Sequence, residues 1–145
     1  MVKLSVVIPC YNEEQTLRAC LENLLDIADE NLSLEIIIVD DCSKDQSFSI
    51  AAELEENHSE IKLLRHERNK GKGAALRSGF AKATGDFVAV QDADLEYDPI
   101  DLKRLLIPLI NDDADVVFSS RFLSTGAHRV LYFWHYMGNR ILTFL

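Results

Sequence analysis

Three carboxylates stand at alternate positions in the segment Asp92-Ala93-Asp94-Leu95-Glu96, directly after an apolar run. Side chains two residues apart on an extended backbone point the same way, so Asp92, Asp94 and Glu96 can converge. Converging carboxylates repel one another unless a cation neutralises them, and hard oxygen ligands suit Mg²⁺ or Mn²⁺. The spacing therefore indicates a divalent-cation site that would also bind substrate phosphates. The alternative is a polar loop that caps the following helix.

Acidic residues also end an earlier apolar run, where Asp40-Asp41 is followed by Asp45. A carboxylate at this place can accept hydrogen bonds from a ribose hydroxyl or a base N–H, or it can cap the next helix. We expect both functions here, with one acid capping and another binding.

The segment Asn69-Lys70-Gly71-Lys72-Gly73 places two lysines among glycines at the predicted start of a helix. Because helix N-termini attract anions, Lys72 and its neighbours are a candidate phosphate site, although a solvated loop is the commoner structure. The spacing does not match a P-loop, and no Gly-x-Gly-x-x-Gly turn follows the first apolar run, which disfavours a dinucleotide site. Acyl-transfer hydrolysis has no support, since the Gly-x-Ser-x-Gly elbow is absent.

Strand-like and helical patterns alternate along the chain and must position these segments. The predicted strands cover residues 4–8, 35–39, 61–64, 86–91 and 115–119. The predicted helices begin at Asn12 with Gln15 as capping-box partner, near residue 48, at residue 71, and at Asp98-Pro99 with a bend at Pro108. This alternation predicts an α/β fold with a mostly parallel sheet, in which ligands bind at the carboxyl ends of the strands.

The chain has 145 residues and a formal net charge of -9, which fits one acidic domain. This balance argues against a nucleic-acid partner, because such a protein needs a basic footprint. All the acidic residues precede position 116, whereas Arg121, Arg129 and Arg140 follow it. The asymmetry suggests that the end of the chain faces different surroundings from the rest.

Residues 130–145 form an aromatic stretch with one apolar stripe at helical spacing. The stripe is Val130, Trp134, Met137, Ile141 and Leu145. An interfacial membrane helix has this composition, and a core helix is an equally good interpretation. The pattern has no C-terminal cap, so we expect the natural chain to continue. Without a signal sequence, an apolar span or paired cysteines, the sequence predicts a cytoplasmic location.

Taken in order, five segments resemble the family 2 glycosyltransferases of the GT-A fold, which use nucleotide sugars. They are residues 7–13 (Val-Ile-Pro-Cys-Tyr-Asn-Glu), 39–45 (Val-Asp-Asp-Cys-Ser-Lys-Asp), 69–76 (Asn-Lys-Gly-Lys-Gly-Ala-Ala-Leu), 83–86 (Ala-Thr-Gly-Asp) and 92–96, with Ser120-Arg121 beyond them. The resemblance is closest to the dolichol-phosphate mannose and glucose synthases, the branch that makes polyprenyl-phosphate sugars. It implies a Rossmann-like sheet with helices on both faces, a donor-binding domain over residues 1–129, and a truncated acceptor-side or membrane-side helix from 130 to 145.

The resemblance, with the loop described above, also implies roles for individual residues. The expected nucleotide-binding residues are Pro9, Tyr11, Glu13, Asp40, Asp41, Lys72 and Asp92. The expected ligands of Mg²⁺ or Mn²⁺ are Asp92, Asp94 and Glu96, although the branch often has glutamine at the third position. Asp94 and Arg121 are expected to act in catalysis, since a guanidinium can hold a phosphate bidentately.

The implied reaction is the inverting, metal-dependent transfer of a hexose from GDP-mannose or UDP-glucose to a polyprenyl phosphate at the inner face of the membrane. An acceptor that is already an ionised phosphate needs little help from a general base, and the sequence offers no convincing one. Two alternatives stay open. One is transfer to a saccharide in glycan synthesis, and the other is a nucleotide-sugar-binding fragment without turnover.

Overall fold

Strands and helices alternate along the computed structural model, which describes residues 1–118. The strands are β1 (Val2–Cys10), β2 (Leu32–Asp40), β3 (Ile61–Arg65) and β4 (Phe87–Val90). The helices are α1 (Leu17–Leu25), α2 (Ser47–Asn57), α3 (Lys72–Phe80) and α4 (Ile100–Ile110). The aromatic stretch 130–145, its assignment as a separate segment after residue 129, and Arg121 all lie outside the described residues.

The four strands form one parallel sheet in the order β3-β2-β1-β4. β2 is the most deeply buried, because its run of β-branched residues at 36–39 is covered on both faces. Cys10 stands opposite Asp40, and Asp40 stands opposite Arg65, so three strands end together. The polar segments that follow the strands therefore meet at one edge of the sheet.

Helices cover both faces of this sheet, as the sequence predicts. On one face Val7 and Ile37 pack against Ala75 of α3. On the other face Val6, Ile36 and their neighbours pack against α1, α2 and α4. The approach of α3 is close at Gly79, where a Cβ would lie 2.3 Å from a methyl carbon of Val7. This close approach holds α3 against the centre of the sheet. Helices on both faces of a parallel sheet confirm the predicted α/β architecture.

A buried carboxylate fastens the turn that leads into β4. Glu35 accepts hydrogen bonds from Ser5 Oγ, from Lys62 Nζ at 2.6 Å and from Thr84 N at 2.7 Å. Burial alone would raise the pKa of Glu35, but these hydrogen bonds outweigh it and hold the pKa well below its usual range. The same turn needs glycine at Gly85, because a Cβ there would lie 2.7 Å from the backbone of β1.

The predicted helix start at Asn12 is wrong. α1 begins at Leu17, and Asn12 has a φ of 56°, the left-handed region that asparagine tolerates. Its N–H donates to Ser43 Oγ at 3.0 Å, and its Oδ1 accepts from Lys44 N at 2.8 Å. Asn12 therefore joins the loop after β1 to the loop after β2 instead of capping a helix, and Gln15 has no capping role.

Two further boundaries differ from the sequence pattern. β1 continues through Pro9, which stands opposite Val39 on β2. Pairing of β1 with β4 ends at Val7, so the N–H group that proline lacks leaves no hydrogen bond between these strands unmade. Residues 115–118 are not a strand, so the predicted fifth strand is wrong over its described part. Val116 and Phe118 are exposed, with no neighbouring strand to pair with among residues 1–118.

The start of α4 follows the prediction, since Asp98 Oδ1 accepts a hydrogen bond from Ile100 N at 3.0 Å. Pro108 lies within this helix, close to its end. Within residues 1–118, no helix is both long and apolar enough to cross a membrane.

Candidate functional site

A cleft of about 410 Å³ opens at the carboxyl edge of the sheet, where the loops after β1, β2 and β4 meet the first turn of α3. Its lining residues are Pro9, Cys10, Tyr11, Glu13, Asp41, Asn69, Gly71, Lys72, Ala75, Asp92, Ala93 and Asp94. The cleft has four acidic side chains and one lysine, so it is suited to a ligand that brings cations or hydrogen-bond donors to the carboxylates.

Asp92 and Asp94 enter the cleft directly after β4, and both are half-buried. Lys72 Nζ, at the first residue of α3, lies 2.6 Å from Asp92 Oδ1. A cation therefore already neutralises part of the acidic pair. The two carboxylates offer the hard oxygen ligands that Mg²⁺ and Mn²⁺ prefer, so the donor set fits such an ion.

Glu96 does not line the cleft with the other two acids. The backbone bends over residues 93–97, so the side-chain alternation of an extended segment does not apply there. Instead Glu96 is exposed, and its N–H donates to Asp94 Oδ1 at 3.2 Å. Among the described residues no three His, Cys, Asp or Glu side chains are grouped to hold a metal. The expected trio is thus reduced to a pair at this cleft.

Asp40 and Asp41 have different surroundings although they are adjacent. Asp40 is fully buried, accepts from Ser43 N at 3.3 Å and lies 3.3 Å from Arg65 Nε. It does not line the cleft, so the structure places it apart from the expected nucleotide contacts. Asp41 does line the cleft.

The carboxylate of Asp41 holds the loop that precedes α3. Its oxygens accept hydrogen bonds from Lys70 N at 2.9 Å and Gly71 N at 2.7 Å, and His66 Nδ1 lies 2.6 Å from Oδ1. Burial alone would raise the pKa of Asp41, but these bonds outweigh it and lower the pKa. Asp41 is therefore an ionised anchor for one wall of the cleft.

His66 is a residue of this site that the motifs do not single out. Its ring is buried, and Nε2 lies 2.8 Å from Ser78 Oγ on α3. His66 directly follows β3 and so lies at the same sheet edge as Asp41. Its position after a strand therefore indicates a residue of the site, as the positions of the carboxylates do.

The loop after β1 supplies the remaining wall. Tyr11 is exposed at the cleft, and Glu13 is half-buried there, with its N–H donating to Ser47 Oγ at 2.7 Å. Asp45 caps α2 by accepting from Ser47 N at 2.9 Å. Of the acids after β2, Asp45 thus has the expected capping role, while Asp41 lies in the cleft, where ligand binding by it stays a prediction.

Cys10 and Cys20 do not supply nucleophilic chemistry. Burial raises the pKa of Cys10 to about 12 and that of Cys20 to about 11. Both side chains are therefore thiols at neutral pH, and a thiolate is the reactive form. The charged side chains that line the cleft are its four carboxylates and Lys72.

Comparison with known proteins identifies the family to which the chain belongs. The model of the family Glycosyl transferase family 2 matches residues 5–142. A dolichol-phosphate mannosyltransferase of Pyrococcus furiosus is 37% identical over 86% of this chain and 35% of its own length. A UDP-N-acetylglucosamine–dolichyl-phosphate N-acetylglucosaminyltransferase of Methanococcus voltae is 33% identical over 97% of this chain. This chain spans 60% of that second relative.

Solved structures agree in fold. A mannosyltransferase of Pyrobaculum calidifontis, in complex with GDP-Man and Mn²⁺, has a TM-score of 0.56 and 30% identity over 63% of this chain and 27% of that one. TarS of S. aureus has a TM-score of 0.67 and 27% identity over 88% of this chain and 38% of that one. Since the family match extends over nearly the whole sequence and the parallel sheet has the GT-A architecture of these neighbours, the chain belongs to glycosyl transferase family 2.

Proposed function

We propose that this chain is the donor-binding part of an inverting glycosyltransferase that moves a hexose from GDP-mannose or UDP-glucose to a polyprenyl phosphate. The observation that carries the proposal is the cleft in which Asp92 and Asp94 lie beside Lys72 at the N-terminus of α3. Acids and a lysine in one cleft suit a nucleoside diphosphate accompanied by a cation. The dolichol-phosphate relatives support a lipid-phosphate acceptor.

Asp92 and Asp94 would hold the Mg²⁺ or Mn²⁺ ion, which when bound supplies Lewis-acid stabilisation of the charge on the departing diphosphate. Lys72 would exchange its pairing with Asp92 for the diphosphate oxygens, aided by the positive end of α3. Tyr11 and Pro9 would lie against the nucleoside. Glu13 would accept hydrogen bonds from it. These roles assign donor recognition to the three loops at the sheet edge.

The acceptor requires less of this part of the protein. A phosphate oxygen is already ionised at neutral pH, so attack on the sugar carbon needs no proton transfer from the nucleophile. Arg121 would hold a phosphate bidentately, and residues 130–145 would lie against the membrane surface at its cytoplasmic face. Both belong to the acceptor side of the reaction in this proposal.

The test of donor binding is calorimetric titration of GDP-mannose and UDP-glucose into the chain with and without Mn²⁺. We expect one donor to bind with Mn²⁺ and to lose at least tenfold in affinity without it. Asp94→Asn should cause a similar loss, because the amide removes one anionic ligand. The matched control is Asp101→Asn, since the half-exposed Asp101 of α4 pairs with Arg104 outside the cleft.

The acceptor is tested in a transfer assay with the donor selected by titration. We expect sugar transfer to polyprenyl phosphate in detergent micelles and no transfer to oligosaccharides. Transfer to oligosaccharides alone would show that the protein acts in glycan synthesis. Donor binding without any transfer would show that it is a binding module. Failure of the chain to bind either donor would refute the proposed donor site.

A further inference from the structure

His66 lies behind the cleft wall in a chain of hydrogen bonds that connects the loop after β2 to α3. On one side its Nδ1 is 2.6 Å from Asp41 Oδ1, and on the other its Nε2 is 2.8 Å from Ser78 Oγ. Asp41 follows β2, and Ser78 lies within α3. The imidazole therefore fastens the helix to the sheet edge at the place where the donor cleft opens.

The direction of these bonds follows from Asp41. Its two oxygens already accept from two backbone N–H groups, those of Lys70 and Gly71. An ionised carboxylate can only accept, so His66 Nδ1 must carry the proton that it donates to Asp41. In the neutral imidazole Nε2 is then an acceptor, so the Ser78 hydroxyl donates a hydrogen bond to it.

Asp41 thus organises the loop that begins α3. Gly71 has a φ of 86°, a conformation that the paired N–H groups on Asp41 hold in place, and Lys72 follows it as the first residue of the helix. A displacement of Asp41 would move Lys72 and the exposed N–H groups of α3 together. These are the groups expected to bind the diphosphate.

We propose that His66 is a positioning residue for donor binding, acting through Asp41 on the loop 69–72. This inference rests on the proposed function, because it assigns the loop to the diphosphate of a nucleotide sugar. His66 itself does not line the cleft. Its effect on the donor passes through the carboxylate that it orients.

The first test measures amide hydrogen exchange in the chain without nucleotide. In His66→Ala the amides of Lys70 and Gly71 should exchange at least tenfold faster, because Asp41 loses the partner that orients it. His66→Asn should restore protection, since its amide N–H can donate to Asp41 in place of Nδ1. The control is His58→Ala, at the end of α2 outside the cleft.

The second test measures the Kd of UDP and of GDP in Mn²⁺ for the same variants. We expect at least tenfold weaker binding of the preferred nucleotide by His66→Ala and recovery to within threefold by His66→Asn. Unchanged amide protection in His66→Ala, or an unchanged Kd where the wild type binds, would overturn the inference. If the wild type binds neither nucleotide, the proposed function fails, while the exchange measurement still decides whether His66 positions the loop. Should His66→Ala not fold, failure of the folded His66→Asn to retain protection overturns the inference.

Discussion

At the scale of single residues, the ion pair of Lys72 and Asp92 places one positive charge among the carboxylates of the cleft. The ammonium lies 2.6 Å from Asp92 Oδ1 and occupies a position from which it competes with any other cation for that carboxylate. The same ammonium is a donor for phosphate oxygens. We therefore expect Lys72 to oppose binding of a cation that arrives alone and to favour binding of a nucleoside diphosphate.

Lys72→Met should separate these two effects. We expect binding of Mn²⁺ alone, measured by electron paramagnetic resonance, to tighten about two- to fivefold, as for the loss of an exposed ion pair of up to about 1 kcal/mol. Binding of UDP or GDP in Mn²⁺ should weaken about tenfold, through loss of one charged hydrogen bond. Lys103→Met, which removes a pairing with Asp29 away from the cleft, should change neither. Parallel changes in both affinities would contradict the assignment.

The sequence predicts a residue of the site only where its position directly after a strand is enough to place it in the cleft. Asp92 and Asp94 follow a strand and do line the cleft. Asp40 also ends a strand, yet it turns inward to Arg65, because adjacent side chains of a strand point to opposite sides. His66 contributes through a partner 25 positions earlier in the chain, and such a contact is fixed only by the packing of the sheet.

At the scale of elements, α3 forms a wall of the cleft and is held against the sheet by a close contact. The Cβ of an alanine at position 79 would lie 2.3 Å from Val7 Cγ1, a distance that real Cβ atoms do not adopt. Val7 is fully buried and packs in one cluster with Ile37, Val39 and Ala75. We therefore expect the helix to shift when this glycine is replaced.

Gly79→Ala should lower the free energy of unfolding by about 1–3 kcal/mol, the usual cost of overpacking a core, despite the better helix propensity of alanine. It should also weaken nucleotide binding, because the first turn of α3 moves with the helix. Gly73→Ala is the matched control in the same helix, since its Cβ would meet only Arg77 Nη1 at 3.8 Å. That variant should be as stable as the wild type or more stable in urea denaturation. Equal stabilities of the two variants would refute the close contact.

The order and type of the elements follow from the sequence more readily than their ends. Short apolar runs predict four of the strands, and alternation with helices predicts the parallel sheet. The predicted start of α1 is wrong because Asn12 forms its hydrogen bonds with the loop after β2. A local sequence pattern does not show a contact of this kind. The run 115–118 has strand composition but no partner strand within the described residues, and pairing is what makes a strand.

At the scale of the whole molecule, the net charge of -9 conceals carboxylates of two kinds. Some are exposed, whereas Glu35, Asp41 and Asp45 are held in the ionised form by hydrogen bonds that outweigh their burial. Glu35 fastens the entry to β4, Asp41 fastens α3, and Asp45 caps α2. Protonation of these groups would loosen the elements that bound the cleft, so the stability of the fold and the shape of the site depend on the same charges.

Stability should therefore fall as the solution becomes acidic. Because the folded pKa values of these carboxyls lie below the unfolded values of about 4, the unfolded chain binds more protons as pH falls through that range. Their contribution to the free energy of unfolding is complete above about pH 5 and declines below it. The midpoints of urea denaturation between pH 7 and pH 3.5 will measure this decline. Glu35→Gln should cost about 3 kcal/mol at pH 7, as for a broken buried ion pair, and the gap to the wild type should narrow as pH falls. Glu56→Gln, at an exposed position of α2, should follow the wild type at every pH, and a constant gap for Glu35→Gln would show that its charge does not support the fold.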